Sequence, residues 1–329
     1  MEFVKSFKAN LTKITESSFE AAALQLFTYQ YNNNPLYKTY SDYINVDPSK
    51  VRTVAEIPFL PIEFFKNQIV KTGKWETQAI FESSGTTGAI TSKHHIEDLG
   101  FYLNQSEMIF REFYGQPEEY TFLALLPSYL ERNNSSLVYM IDHFIKVSKS
   151  EHSGFYLNEV DQLMETIKRL KNKRTKTIII GVTFALLELA ENFKEDLSEM
   201  TVMETGGMKG RRKELTQNEV HQILKDSFSL ENVHTEYGMT ELLSQAYSKR
   251  NGLLSWPSWC KVLLRDLNDP FDMGTKRKTG GVNIIDLANI HSCAFIETKD
   301  IGEIINQKEF KVLGRMDNSE VRGCNLLIQ

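Results

Sequence analysis

Cysteine is scarce in this chain: Cys260, Cys293 and Cys324 are the only three in 329 residues. So small and odd a number excludes a disulfide framework and implies a reducing, cytoplasmic setting. Long apolar runs are missing too. The most apolar window, residues 177–190, is broken by Gly181, Thr183 and Glu188 and falls short of a membrane span. The first stretch, MEFVKSFKANLTKITESSF, is polar and has no signal-peptide core. Positive charge is not in excess: 38 Lys and Arg against 43 Asp and Glu leave −5. That argues against a nucleic-acid surface and against an anionic-membrane patch, so neither nucleic acid nor membrane insertion is expected. No repeat or low-complexity tract is visible. What remains is an ordinary globular composition, long enough for about two domains.

Patterning divides the chain into three parts. Residues 1–80 read as a mainly helical segment packed on the body. Ser17-Ser18-Phe19-Glu20 fits a capping box, with Phe19, Ala22, Ala23, Leu26 and Phe27 at helical spacing, and Asn32-Asn33-Asn34-Pro35 stops that helix. Residues 81–255 alternate strands with amphipathic helices, the signature of parallel βαβ units and an α/β body. Strands are expected at 121–126, 177–182, 200–204 and 232–236, with a helix opened by Thr216-Gln217-Asn218-Glu219 before the last. In residues 256–329 the expectation changes to short strands at 282–286, 293–297, 302–306 and 310–314 and no helix, a smaller β-rich subdomain. The fold class is therefore α/β with a β-rich C-terminal part.

The strongest local signal is Ser83-Ser84-Gly85-Thr86-Thr87-Gly88 with Ser92 and Lys93 behind it. Glycines three apart let successive backbone N–H groups converge on an anion. Hydroxyls add donors, and Lys93 adds a point charge suited to phosphate. The spacing matches neither the Walker loop nor GxGxxG, and taken alone the segment also reads as a flexible surface loop. His94-His95 follows it without further metal-ligand spacing, so zinc is not expected. The basic run Lys209, Arg211, Arg212 and Lys213 reads as a solvated turn.

The loop through Lys93 resembles the phosphate loop of the acyl-adenylate-forming superfamily: acyl-CoA synthetases, adenylation domains and luciferase-like enzymes. Further motifs follow in that superfamily's order. Glu204-Thr-Gly206-Gly207 with Met208-Lys-Gly210 resembles the glycines that pack against adenine. Tyr237-Gly238-Met239-Thr240-Glu241 resembles Y-G-x-T-E. Glu297-Thr-Lys299-Asp300-Ile-Gly302 resembles the T-G-D region with Lys299 in place of glycine, and Gly314-Arg315-Met-Asp317 resembles the G-R-x-D hinge. Together they span roughly residues 80–325. Within the superfamily, Leu126-Pro-Ser-Tyr-Leu-Glu-Arg132, Thr205–Gly210, Tyr237–Ser248 and Arg322-Gly-Cys324 look like the acyl-protein synthetase branch, the fatty-acid-activating component of bacterial bioluminescence. Phenylacetate–CoA ligases are next nearest.

The resemblance implies ATP and Mg²⁺ as cofactors and a carboxylic acid, a fatty acid in that branch, as substrate. It also implies a protein acyl acceptor or reductase as partner. The phosphate loop and Lys93 would hold the β- and γ-phosphates, Thr240 would donate to the α-phosphate, and Glu241 would hold Mg²⁺. In isolation Glu241 reads as a helix N-terminal glutamate. Asp300 would accept from ribose hydroxyls; its plain alternative is a turn aspartate. Arg315 would reach ribose or phosphate, Gly206, Gly207 and Gly238 would allow close backbone approach, and Tyr237 either stacks on adenine or belongs to the core. Cys324 would accept the acyl group as a thiolate, whereas Cys260 and Cys293, in apolar surroundings, read as buried hydrophobes. Residues 127–132 and 135–139 would line or gate the acyl pocket. Only fourteen residues follow Arg315, so the mobile C-terminal domain of about 100 residues usual in that superfamily, with its lysine, is expected to be absent. Two other readings stay open: an acyl-CoA ligase, and a weakly catalytic nucleotide-binding subunit.

Overall fold

The run at 177–182 is buried at every position, the mark of a strand covered on both faces, and it lies within a sheet that organises the chain. The computed structural model describes residues 2–83, 90–126, 134–156, 159–206, 215–274 and 277–316. Its helices are α1 (Glu2–Asn10), α2 (Glu16–Asn33), α3 (Pro35–Tyr43), α4 (Phe64–Asn67), α5 (Leu99–Tyr114), α6 (Ser136–Ser148), α7 (Val160–Lys173), α8 (Thr183–Asn192) and α9 (Gln217–Phe228). The strands are β1 (Leu60–Pro61), β2 (Ala79–Glu82), β3 (Lys93–Ile96), β4 (Thr121–Leu125), β5 (Gly154–Phe155), β6 (Thr177–Val182), β7 (Thr201–Thr205), β8 (His234–Tyr237), β9 (Ala246–Ser248), β10 (Leu254–Ser255), β11 (Cys260–Arg265), β12 (Thr279–Asp286), β13 (Phe295–Ile304) and β14 (Glu309–Arg315).

The large sheet runs β11-β12-β13-β14-β10-β9-β8-β7-β6-β4-β5, with β1 added to β13. Neighbours from β5 to β8 are parallel, and α6 to α9 make the crossovers. From β8 to β11 each neighbouring pair is antiparallel. Strand alternation divides the core. Phe122, Ala124, Ile178, Ile180 and Met203 pack with the N-terminal helices, α6 and the antiparallel strands. Leu123, Leu125, Ile179 and Val202 face the other way, onto α7, α8 and α9. The strands at 121–126, 177–182, 200–204 and 232–236 appear within two residues of expectation, and Thr216 caps α9 as read.

Three details correct the sequence reading. The capping box at α2 is Thr15 with Ser18, two residues before the one expected; Glu20 instead accepts from the backbone N–H of Val54 at 3.3 Å. The strands expected at 293–297 and 302–306 are parts of one ten-residue strand, β13, with a register irregularity at Ile301/Gly302. An additional strand, β11, precedes them. Buried Gln30 of α2 explains how the N-terminal helices grip this half: its amide donates to Asn289 O at 2.8 Å and accepts from Ala294 N–H at 2.9 Å. No helix among the described residues is long and apolar enough to cross a membrane.

Candidate active site

Two extended segments meet at Ser83 and Ser92, on either side of the Gly85–Gly88 motif. Glu82 pairs with Lys93 across the β2–β3 hairpin. Beyond that pair, Ser83 N–H donates to Ser92 O at 3.1 Å and Ser92 N–H donates to Ser83 Oγ at 2.9 Å. Ser84, Gly85, Thr86, Thr87 and Gly88 lie outside the described residues. Lys93 stands at the loop's mouth, its side chain 54% exposed and its Nζ 3.9 Å from Glu82, a solvent-screened contact that binds the ammonium only weakly.

The segment after β8 packs against Ser92 and His94. A Cβ at Gly238 would come within 2.8 Å of Glu236 Oε1, so a larger residue there would have to displace that carboxyl. Glu241 is not at a helix N-terminus; it lies in a turn closed by Leu242 N–H on Met239 O at 3.1 Å. Its carboxyl is buried. Burial pushes its pKa up, while the Ser92 hydroxyl, its own backbone, Arg315 and Lys66 oppose the shift. Three anchors hold the turn. His94 Nδ1 bonds the Thr240 carbonyl at 2.8 Å, Asn289 Nδ2 donates to the Glu241 carbonyl at 2.7 Å, and buried Asp286 accepts from the Leu243 and Ser244 N–H groups and the Ser244 hydroxyl.

A third wall comes from the antiparallel strands. Asp300 sits inside β13, directly opposite Arg315 of β14, so the turn reading does not hold. It is buried, with Oδ2 accepting from the Tyr237 hydroxyl at 2.6 Å and Oδ1 at 3.3 Å from Arg315 Nε. Burial raises its pKa; Tyr237, Arg315 and Arg265 offset part of this. Tyr237 is half-buried, edge-on to Trp256 and Phe310. Lys299 points to the opposite face, as strand alternation requires, and its ammonium pairs with Glu63 at 2.5 Å. Lys299 therefore does not share the face on which Asp300 meets Tyr237 and Arg315.

Gly206 ends β7 with φ +72, a left-handed conformation that favours glycine, and its carbonyl accepts from the Thr183 hydroxyl at 3.1 Å. Just inside it, Glu204 is buried against His221 Nε2 at 2.9 Å. Gly207, the basic run 209–213, residues 127–132 and Cys324 lie outside the described residues. Ser135 stands at the N-cap position of α6 without a side-chain capping bond, and the first turn carries residues 136–139; Tyr139 packs on Phe81 with centroids 5.5 Å apart. His94 and His95 diverge to opposite faces of β3, the latter towards Thr77 at 3.1 Å, and no cluster of three or more His, Cys, Asp or Glu suited to a metal occurs among the described residues. The sequence reading missed His94, Asn289 and Asp286 as site-forming residues. The one local signal was the i, i+2 spacing of Ser92 and His94, which places both on the face towards Thr240-Glu241.

Cys260 and Cys293 are buried, and burial raises both thiol pKa values, Cys293's to about 12. At neutral pH the Cys293 thiolate is then roughly one part in 10⁴ or less. Neither thiol is expected to react with a disulfide reagent in the folded protein, and both should react once it is unfolded in denaturant. Fast modification of either in the native state would contradict this packing.

No protein-family model matches the chain, and no curated protein matches it in sequence. Solved structures do match it in shape. An ATP-bound RpMatB-BxBclM chimera superposes with a TM-score of 0.55 at 13% identity over 74% of this chain and 49% of that one. McyG A-PCP in complex with phenylalanyl-adenylate gives 0.52 at 13% over 85% and 54%. The fatty acid AMP ligase from Legionella pneumophila gives 0.50 at 12% over 76% and 52%. This is the adenylate-forming fold. The chain spans about half the length of these structures.

Proposed function

We propose that the protein activates a carboxylic acid with ATP, forming an acyl-adenylate, and passes the acyl group to a thiol as an acyl-protein synthetase does. The observation that carries this reading is the convergence of Tyr237, Asp300 and Arg315 beside the Thr240-Glu241 turn and the base of the Ser83–Lys93 loop. The substrate carboxylate attacks the α-phosphorus of ATP and pyrophosphate leaves. Both reactants are anions, so the site must align them and neutralise charge. Lys93 and the hydroxyl-rich loop meet the outer phosphates, Thr240 meets the α-phosphate, and Asp300 accepts from the ribose. Glu241 fits a site for Mg²⁺: it is a buried hard oxygen donor with no contact ion pair among the described residues, and Mg²⁺ commonly uses one or two carboxylates with substrate phosphates. When bound, Mg²⁺ neutralises phosphate charge.

In the second half-reaction the Cys324 thiolate attacks the acyl carbon; the C–S bond forms, the acyl C–O bond breaks and AMP leaves. The sequence resemblance to the acyl-protein synthetase branch supports a fatty acid as substrate. The test is ATP–pyrophosphate exchange over a panel of carboxylic acids. Exchange with at least one acid is expected, and none with any acid rejects the proposal. Cys324→Ser should retain exchange and lose covalent acyl labelling; unchanged labelling removes Cys324, and acyl-CoA formed on adding coenzyme A would assign the acceptor instead.

A further inference from the structure

We propose that His94 is a positioning residue of the nucleotide site: its Nδ1–H fixes the Thr240 carbonyl and thereby aims the Thr240 hydroxyl and the Glu241 carboxylate. The inference rests on the adenylate-forming reading above. A carbonyl can only accept, so the 2.8 Å contact requires the Nδ1–H tautomer. The ring is buried and lies edge-on to Phe65 of α4, centroids 5.7 Å apart. Burial also lowers its pKa to about 4, so the imidazole is neutral at neutral pH. Two residues earlier in the same segment, the Ser92 hydroxyl lies beside the Glu241 carboxyl and opposes the rise in its pKa, while Lys93, between them, turns to the other face. One extended segment thus holds both residues of the Thr240-Glu241 pair and presents the phosphate-loop lysine. Asn289 anchors the same turn on the Glu241 carbonyl and its side chain also lies against the His94 ring.

Asparagine and glutamine separate positioning from packing. The carboxamide nitrogen of asparagine reaches the place of Nδ1; that of glutamine reaches the place of Nε2. In the full-length chain, His94→Gln is expected to lower kcat for ATP–pyrophosphate exchange by about 10–100-fold with KM for the acid unchanged. His94→Asn should stay within a few-fold of wild type. Calorimetry should show Mg·ATP binding weakened by about tenfold in His94→Gln relative to His94→Asn. The proposal is overturned if His94→Gln matches wild type in kcat and binding. It is equally overturned if folded His94→Asn loses as much as His94→Gln, or if neither variant folds, since His94 is then only a packing residue. If wild type exchanges with no acid, the functional reading fails, and the calorimetric comparison alone decides the assignment of His94.

Discussion

Replacing Asp300 by alanine is expected to lower acid-dependent ATP–pyrophosphate exchange by roughly 10²–10⁴-fold. Two hydrogen bonds from ribose hydroxyls to a carboxylate contribute roughly 1.5–3 kcal/mol each, and each 1.4 kcal/mol is about a factor of ten. The loss should be catalytic rather than structural. Arg315 is 74% exposed and regains water when Asp300 is gone, and the β13–β14 pairing at this position is made by the backbone. Tyr237→Phe separates the two effects. It removes the donor to Asp300 Oδ2 while leaving the carboxylate in place, so it should cost about 1 kcal/mol of stability and change exchange far less than Asp300→Ala. An Asp300→Ala protein that exchanges at the wild-type rate would remove Asp300 from the nucleotide site. Equal losses in both variants would make its role the support of Tyr237.

The second large effect is on stability and concerns Glu236. This carboxyl is buried on β8 with the Thr205 hydroxyl donating to it, and burial raises its pKa from 4.5 to about 7. Between those values the unfolded chain has released the proton and the folded chain still holds it. Glu236's own contribution to stability should therefore fall as pH rises from about 4.5 to 7, by at most about 3.4 kcal/mol at 1.36 kcal/mol per pKa unit, and level off above that range. Glutamine keeps an acceptor for Thr205 and never ionises. Glu236→Gln should thus match wild type near pH 4.5 and exceed it by roughly 2–3 kcal/mol at pH 8. Urea unfolding at the two pH values measures the difference, and a gap that does not widen with pH refutes the assignment.

Much of the fold was legible because its signals are short-range. The buried run 177–182, the capped start of α9 and the succession of strands among the described C-terminal residues each depend on residues within one element. The misplaced features involve competition between neighbours. Thr15 and Ser17 are both plausible caps, and the backbone bonded Thr15 with Ser18 while Glu20 turned to Val54. Likewise, Lys299-Asp300 looks like a turn between two short strands, yet pairing with β12 and β14 carries a single strand through it.

By itself the sequence determined the α/β class, the order of the motifs and the residue types of the candidate site, since each is encoded in periodicity or in a few adjacent residues. Only the tertiary structure decided how those residues meet. Tyr237 and Asp300, 63 positions apart, become hydrogen-bond partners, and His94 reaches a carbonyl 146 positions away. Glu241, whose reading in isolation was a helix end, lies in a buried turn. Such contacts follow from strand order and register, which are set by burial over the whole sheet, and no local window of sequence contains that information.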